Sequence, residues 1–381
     1  MVRRSPALWL AVLALAACTS PSGTNPATTT TTTPTTAAAP QAPQAVLFYT
    51  KAGSLYVSDP AGTPGRKLTD GPADTQPAPS PDVAHVAYVH KANASDYGGE
   101  LWVLDLSPQR APVGAPRRLV DPAALPRKLD APSQIVSPRW SPAGKQVAFL
   151  ESGEGGGLLL VADADTGAVV PPQQQLFADD YAWSPDARHI AWIGGRSDVS
   201  PVDVNALAVG AASTPVAKDT DAFSVTYGNR GQSILFANGD TSDPALAEIP
   251  FAIRDGGIYT ADTPGGAPAN PPAPPTSLFA GRASYGDVAA LASGAVAFTE
   301  WSADGSSKSI QVLDTGSSLA RTKIANVATD GPGPAWGTGD IVAYLDTSPE
   351  KPLVVTDVEN RTPTQVDTGV DAFAWPPQTN D

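Results

Sequence analysis

An all-β fold is what this sequence predicts, and three observations carry the prediction. An aliphatic residue followed two places later by an aromatic recurs seven times along the chain. Each copy is flanked by further short strand-like runs, separated by Gly, Pro and Asp turns. The repeat array is incomplete at both ends, and the two partial ends together make one whole unit. Four strands in each ~45 residues is the signature of a β-propeller. The expected architecture is a seven-bladed propeller closed by its C-terminal strand, preceded by a signal peptide and a disordered tether.

Residues 1–18 read as an export signal. Arg3 and Arg4 supply the positive start. The apolar run Ala7 to Ala17 is too short to span a bilayer, which needs about 20 residues. The run ends Leu15-Ala16-Ala17-Cys18. This is similar to a bacterial lipobox, in which the cysteine carries acyl chains such as palmitate and becomes the mature N-terminus. Cys18 is the one cysteine of the chain, so an intrachain disulfide and a Cys-rich metal site are excluded. Residues 19–45 are rich in Thr, Pro and Ala, with six threonines in a row from Thr28 to Thr33. Nothing apolar here offsets the entropy of ordering. In polyproline geometry, at ~3.1 Å per residue, such a tether reaches roughly 80 Å.

The array occupies residues 46–376, with 377–381 as a tail. Its core motif appears as Val46-Leu-Phe48, Val86-Ala-Tyr88, Val147-Ala-Phe149, Ile190-Ala-Trp192, Ile234-Leu-Phe236, Val296-Ala-Phe298 and Val342-Ala-Tyr344. A second strand follows most copies and ends in Asp, as in Leu101-Trp-Val-Leu-Asp105 and Ile310-Gln-Val-Leu-Asp314. The fourth copy is degenerate, at Ala206 to Gly210. A third strand is expected at Arg66 to Leu68, Arg117 to Leu119, Gln175 to Phe177, Thr276 to Phe279, Thr322 to Ile324 and Thr364 to Val366. An inner strand with an aromatic near its end precedes most copies, clearest at Trp140, Trp183 and Trp336. Tyr227 holds that place in the fifth unit. The first unit lacks an inner strand, and the chain finishes with one, Asp371 to Pro376. Joining the two ends would close the ring and remove exposed sheet edges.

Trp183-Ser-Pro-Asp-Ala-Arg-His-Ile-Ala-Trp192 and Trp140-Ser-Pro-Ala-Gly-Lys-Gln-Val-Ala-Phe149 are similar to the repeats of TolB-type propellers. Ser80-Pro-Asp82 and the trailing Arg66-Lys-Leu-Thr69 fit the same pattern. The resemblance covers the whole array and is sharpest in its first four units. It implies an exported propeller lipoprotein of actinobacterial kind. TolB itself has six blades and an N-terminal α/β domain that this chain lacks, so its partners do not transfer.

The 381 residues include 38 acidic and 24 basic side chains, for a net charge of −14. This balance argues against nucleic acid, whose phosphates need a basic surface. Three histidines, none in a nucleophile motif, leave little for catalysis. His85 and His189 share one turn position, which reads as surface. Ser302-Ala-Asp304-Gly305 is a single copy with the wrong spacing for a sialidase Asp-box. No cofactor is expected.

Candidate binding residues fall in two sets. The junctions leading into inner strands carry Asp74, Asp180, Asp221, Asp287 and Asp371, together with the basic pair Arg127 and Lys128. An acidic rim of this kind would attract a basic protein, a cationic ligand or a metal ion, although Asp is also common in turns for its backbone bonds. The second set stands four residues after the core-motif start: His90, Glu151, Asn238, Glu300 and Asp346. These resemble the hard oxygen ligands of calcium-dependent propeller hydrolases. The plainer alternative is polar strand ends facing solvent. The apolar loop run Ala245 to Ile253 is a further candidate contact.

The expected function is a lipid-anchored, extracytoplasmic binding scaffold, acting as a monomer and touching the membrane through its N-terminal lipid alone. Its partner would be an envelope protein or a small ligand. The alternatives are a calcium-dependent hydrolase, lactonase-like or glycan-cleaving, and a sugar- or peptidoglycan-binding sensor.

Overall fold

The computed structural model describes residues 45–377, apart from 126–132, 154–155, 171–175, 195–197, 205–213, 219, 241–253, 264–272, 282, 303 and 317. Cys18, Arg127, Lys128 and the apolar run 245–253 therefore lie outside the described residues. No described helix is long and apolar enough to cross a membrane.

The described residues form antiparallel sheets. One four-stranded sheet runs Asp74–Pro79, His85–His90, Glu100–Asp105 and Arg117–Val120. A seven-stranded path holds two successive units. The first is Gln134–Trp140, Gln146–Gly153 and Gly156–Asp163, with Val169–Val170 on its edge. The second is Phe177–Trp183, His189–Gly194 and Asp198–Asp203. They are joined where Gly157 and Leu158 pair with Ala178 and Phe177. Next comes the sheet Ala222–Gly228, Ser233–Asp240, Arg254–Asp262 and Thr276–Gly281. It is followed by Ser284–Ala290, Val296–Trp301, Lys308–Leu313 and Arg321–Val327. Another contains Ala335–Gly337, Ile341–Leu345, Leu353–Asp357 and Pro363–Asp367. The remaining sheet is composite. Val370–Ala374 is hydrogen-bonded to Leu47–Lys51, beside Ser54–Ser58 and Arg66–Lys67. Tyr49 stands opposite Phe373 in that pairing.

Strand alternation explains why the core motif is apolar at all three of its positions. Successive side chains point to opposite faces, and here each face meets a different neighbouring sheet. Val147 and Phe149 pack with Ala87, Leu101 and Val103 of the preceding sheet. Ala148 and Leu150 pack with Tyr181, Trp183 and Ile190 of the following unit. Phe48 faces Val86 and Tyr88, whereas Leu47 and Tyr49 face Leu353 and Val355. The core is thus a series of apolar layers between sheets, and the small residue of the motif, often Ala, keeps the layers close.

Two expected strands lie elsewhere. Gln175 to Phe177 was expected as an outer strand, but Phe177 opens the next inner strand and Val169–Val170 takes the edge. The strand that follows Ile190-Ala-Trp192 is Asp198–Asp203, ahead of the expected 206–210, which lie outside the described residues. There it pairs with His189–Gly194, opposite Ile190 and Trp192.

Candidate functional site

The rim carboxylates are mostly strand residues, not loop residues. Asp74, Asp180, Asp287 and Asp371 all lie within first strands. Asp74 is buried and receives the Thr69 hydroxyl at 2.5 Å. Its other oxygen lies 2.7 Å from Nδ1 of His90, which it faces across the sheet. A rim residue and a ring residue are therefore brought together, with the His90 imidazole packed on Trp102. Asp221 is exposed, in a left-handed conformation at φ 50°. Asp371 is also exposed, yet partial burial pushes its carboxyl up.

Asp180 and Asp287 share a position that spacing reveals once the strands are aligned. Each stands three residues before the inner-strand aromatic position, held by Trp183 and Ala290. Gln76, Ser137 and Ser224 are their equivalents. Register shifts occur nearby in all five strands. Such bulges re-aim a side chain sideways, and Gln76, Ser137 and Asp287 adopt φ of 50°, 53° and 47°. Side chains at this level reach the backbone of the next unit. Gln76 Oε1 accepts from Ser137 N–H at 2.6 Å. Asp180 Oδ2 accepts from Val225 N–H at 3.0 Å. Ser224 Oγ accepts from Val288 N–H at 2.9 Å. Asp180 also pairs with Arg139 at 2.8 Å, and Asp287 with Lys308 at 2.8 Å. Asp180 thus joins three successive units, whereas Asp287 pairs within its own sheet.

The second set is likewise engaged within the fold. Glu151 is fully buried, against the expectation of polar ends in solvent, and accepts the Ser133 hydroxyl at 2.5 Å. Asn238 donates to Thr220 O and accepts from Gly257 N–H, clipping a loop to its strand. Glu300 pairs with Arg321 at 2.9 Å. Asp346 follows its strand, half-buried. Among the described residues, no three His, Cys, Asp or Glu side chains are grouped to hold a metal ion.

The main cavity lies at the opposite end of the inner strands, away from the rim. It encloses about 1200 Å³ and is walled by Pro79, Trp140, Trp183, Tyr227, Trp336 and Trp375. These six occupy the same inner-strand position in six units. Most show only an edge to the cavity, because their rings pack between sheets. Trp183 donates its indole N–H to Arg139 O at 3.0 Å, and Trp375 donates to Ala335 O at 2.9 Å. Among the described residues, the charged lining residues are Arg139, Arg230 and Asp262.

The turns beside this cavity follow one pattern. Ser80 and Ser184 each donate to the Asp two residues on, at 2.6 Å, and each accepts a backbone N–H five residues ahead. At the other end of the strands, Ser302 and Asp304 form the same turn at 2.6 Å between Val296–Trp301 and Lys308–Leu313. The Ser302 segment is thus a hairpin turn. Its hydrogen bonds from Ser302 and Ser306 lower the Asp304 carboxyl to about 2.

No protein-family model and no curated protein matches this chain. Solved structures do. TolB from Acinetobacter baumannii aligns with a TM-score of 0.51 at 18% identity, over 79% of this chain and 68% of that one. The periplasmic gluconolactonase of Pseudomonas aeruginosa aligns at 0.54 and 12%, over 87% and 99%. The tricorn protease aligns at 0.59 and 11%, over 87% of this chain but only 34% of its own length. Likeness at these identities speaks for the fold and not for an activity. With its antiparallel sheets and interleaved apolar layers, the chain folds as a TolB-like β-propeller.

Proposed function

We propose that this chain is an exported, lipid-anchored propeller that works as a binding scaffold in the cell envelope. The observation that carries this reading is the contrast between its two ends. The candidate acids Asp74, Asp180, Asp287, Glu151 and Glu300 are engaged in bonds within the fold. The other end holds a cavity of about 1200 Å³ lined mainly by aromatic, proline and small residues. Preformed concave sites of this composition are the usual binding sites of proteins.

In this reading the propeller has seven blades. The seven-stranded sheet supplies two, and Val370–Ala374 beside Leu47–Lys51 closes the ring. Residues 1–18 direct export, Cys18 carries the lipid, and residues 19–45 hold the propeller away from the membrane. The partner is an envelope protein or small ligand, and the propeller acts as a monomer.

Two measurements test the proposal. Cys18→Ala should move the protein from the membrane to the soluble fraction, and unchanged membrane retention would overturn the anchor. Photo-crosslinkers placed around the cavity should capture a discrete partner in intact cells, whereas crosslinkers at the exposed Leu319 should not. Hydrolytic turnover abolished by EDTA would overturn the scaffold reading in favour of a calcium-dependent hydrolase.

A further inference from the structure

Resting on the binding reading above, we infer that the cavity takes a small organic anion, with its acidic head on Arg230 and its apolar body among the aromatic and proline walls. Three observations point this way. First, the chain carries 38 acidic against 24 basic side chains, yet among the described residues the charged ones lining the cavity are two arginines and one aspartate. Arg139 is committed to Asp180. Arg230 is exposed and makes no hydrogen bond or ion pair within the described residues. It sits in the turn Asn229–Gly231 that follows the inner strand Ala222–Gly228. That turn approaches Pro185 of the preceding unit, where a Cβ at Gly231 would stand 3.3 Å from the proline ring.

Second, two buried donors of the wall residues lack acceptors. Trp140, 4% exposed, and Trp336 have indole N–H groups with no acceptor, although the equivalent N–H groups of Trp183 and Trp375 are paired. These two are the unpaired buried polar atoms among the lining residues, and both are donors. Indole edges also carry the positive rim of the ring quadrupole. A guanidinium beside such positive ring edges favours a ligand that brings negative charge.

Third, the space has a defined gap. Ala290 occupies the inner-strand position that is aromatic in five other units, and it lines the cavity beside Leu291 and Ala292. The missing ring leaves room for an apolar body on that side, between Tyr227 and Trp336 of the flanking sheets.

The probe is 8-anilinonaphthalene-1-sulfonate, a sulfonate on an aromatic body. Its uncharged partner is N-phenyl-1-naphthylamine, which has the same body without the charge. Both are titrated by fluorescence into the full-length protein. Arg230→Gln should weaken the sulfonate about tenfold, the scale of one charge-assisted hydrogen bond, and leave the amine unchanged. Arg230→Lys should keep most of the sulfonate affinity, and Asp262→Asn should increase it. Ala290→Trp should block both dyes, and Thr338→Trp, on an exposed lining turn, is a second blocking variant with little reason to misfold. Thermal melts confirm that each variant is folded. If Arg230→Gln binds the sulfonate like the native protein while the blocking variants lose both dyes, the anion inference fails and the binding reading stands. If neither dye binds, or both survive the blocking variants, the cavity is not the site and the inference fails. The cellular crosslinking result then decides the scaffold reading separately.

Discussion

The Tyr49 hydroxyl donates to Oδ2 of Asp367 at 2.8 Å, across 318 residues of sequence. Lys51 holds the other carboxylate oxygen at 2.6 Å. The contact joins Leu47–Lys51 to Pro363–Asp367 of the preceding sheet. Tyr49 is fully buried, so its hydroxyl has no water to fall back on. Asp367→Ala should therefore destabilise the fold by about 1–3 kcal/mol, the cost of an orphaned buried donor. Tyr49→Phe, which removes the donor as well, should cost less. Urea unfolding of the two variants checks the order, and equal losses would contradict it.

The same carboxylate predicts a pH dependence. Burial pushes Asp367 up, but hydrogen bonds from Lys51, the Thr368 N–H and Tyr49 outweigh it and hold the group below the ordinary carboxylate range. A carboxyl lowered on folding contributes stability above its unfolded pKa, and that contribution is lost as pH falls through the folded value. The loss should begin below about pH 4. Asp367→Asn should lower stability at neutral pH and flatten this part of the acid slope. Melts between about pH 6 and pH 2.5 measure both effects.

Asp180 predicts a larger loss than its serine equivalent. Asp180→Ala strands both the Val225 N–H and the Arg139 guanidinium. The expected cost is about 2–3 kcal/mol, moderated because Arg139 is partly exposed. Ser224→Ala strands only the Val288 N–H and should cost about 1 kcal/mol. Reversal of this order in denaturant titrations would reject the bridging role.

Gly53 predicts a steric failure. Ala52 and Gly53 form the hairpin turn with φ of 48° and 70°, the geometry of a type I′ turn. A Cβ on Gly53 would stand 1.8 Å from the carbonyl oxygen of Pro72. The same glycine's carbonyl accepts from Asp74 N–H at 3.0 Å. Gly53→Ala should cost more than the ~1 kcal/mol usual for a left-handed residue, because the clash adds to it. The conformationally similar Ala52→Gly should be nearly neutral by the same melt.

Much of the strand plan could be read from residue order alone. The aliphatic-x-aromatic motif is local, and period-two alternation with Gly, Pro and Asp turns expresses itself within a few residues. Val86 to Tyr88, Val147 to Phe149 and Val296 to Phe298 are strands where expected. Strand placement was missed at Phe177 and at Asp198–Asp203, where one unit runs directly into the next and the turn signals are weak. The side-chain partners were beyond the reach of sequence. Asp180 and Asp287 look like any other turn-region Asp, yet Asp180 bonds to the sheets on both sides, whereas Asp287 pairs with Lys308 and Asp74 with His90 within their own. Glu151 lies near the end of its strand and Asp346 just past one, but of the two only Glu151 is buried. The cavity belongs to the same class of fact. Each wall residue is about forty or more residues from the next, and its enclosure depends on how the sheets pack. Backbone periodicity is set by neighbours along the chain, whereas pairing, burial and cavity shape are set by neighbours across it.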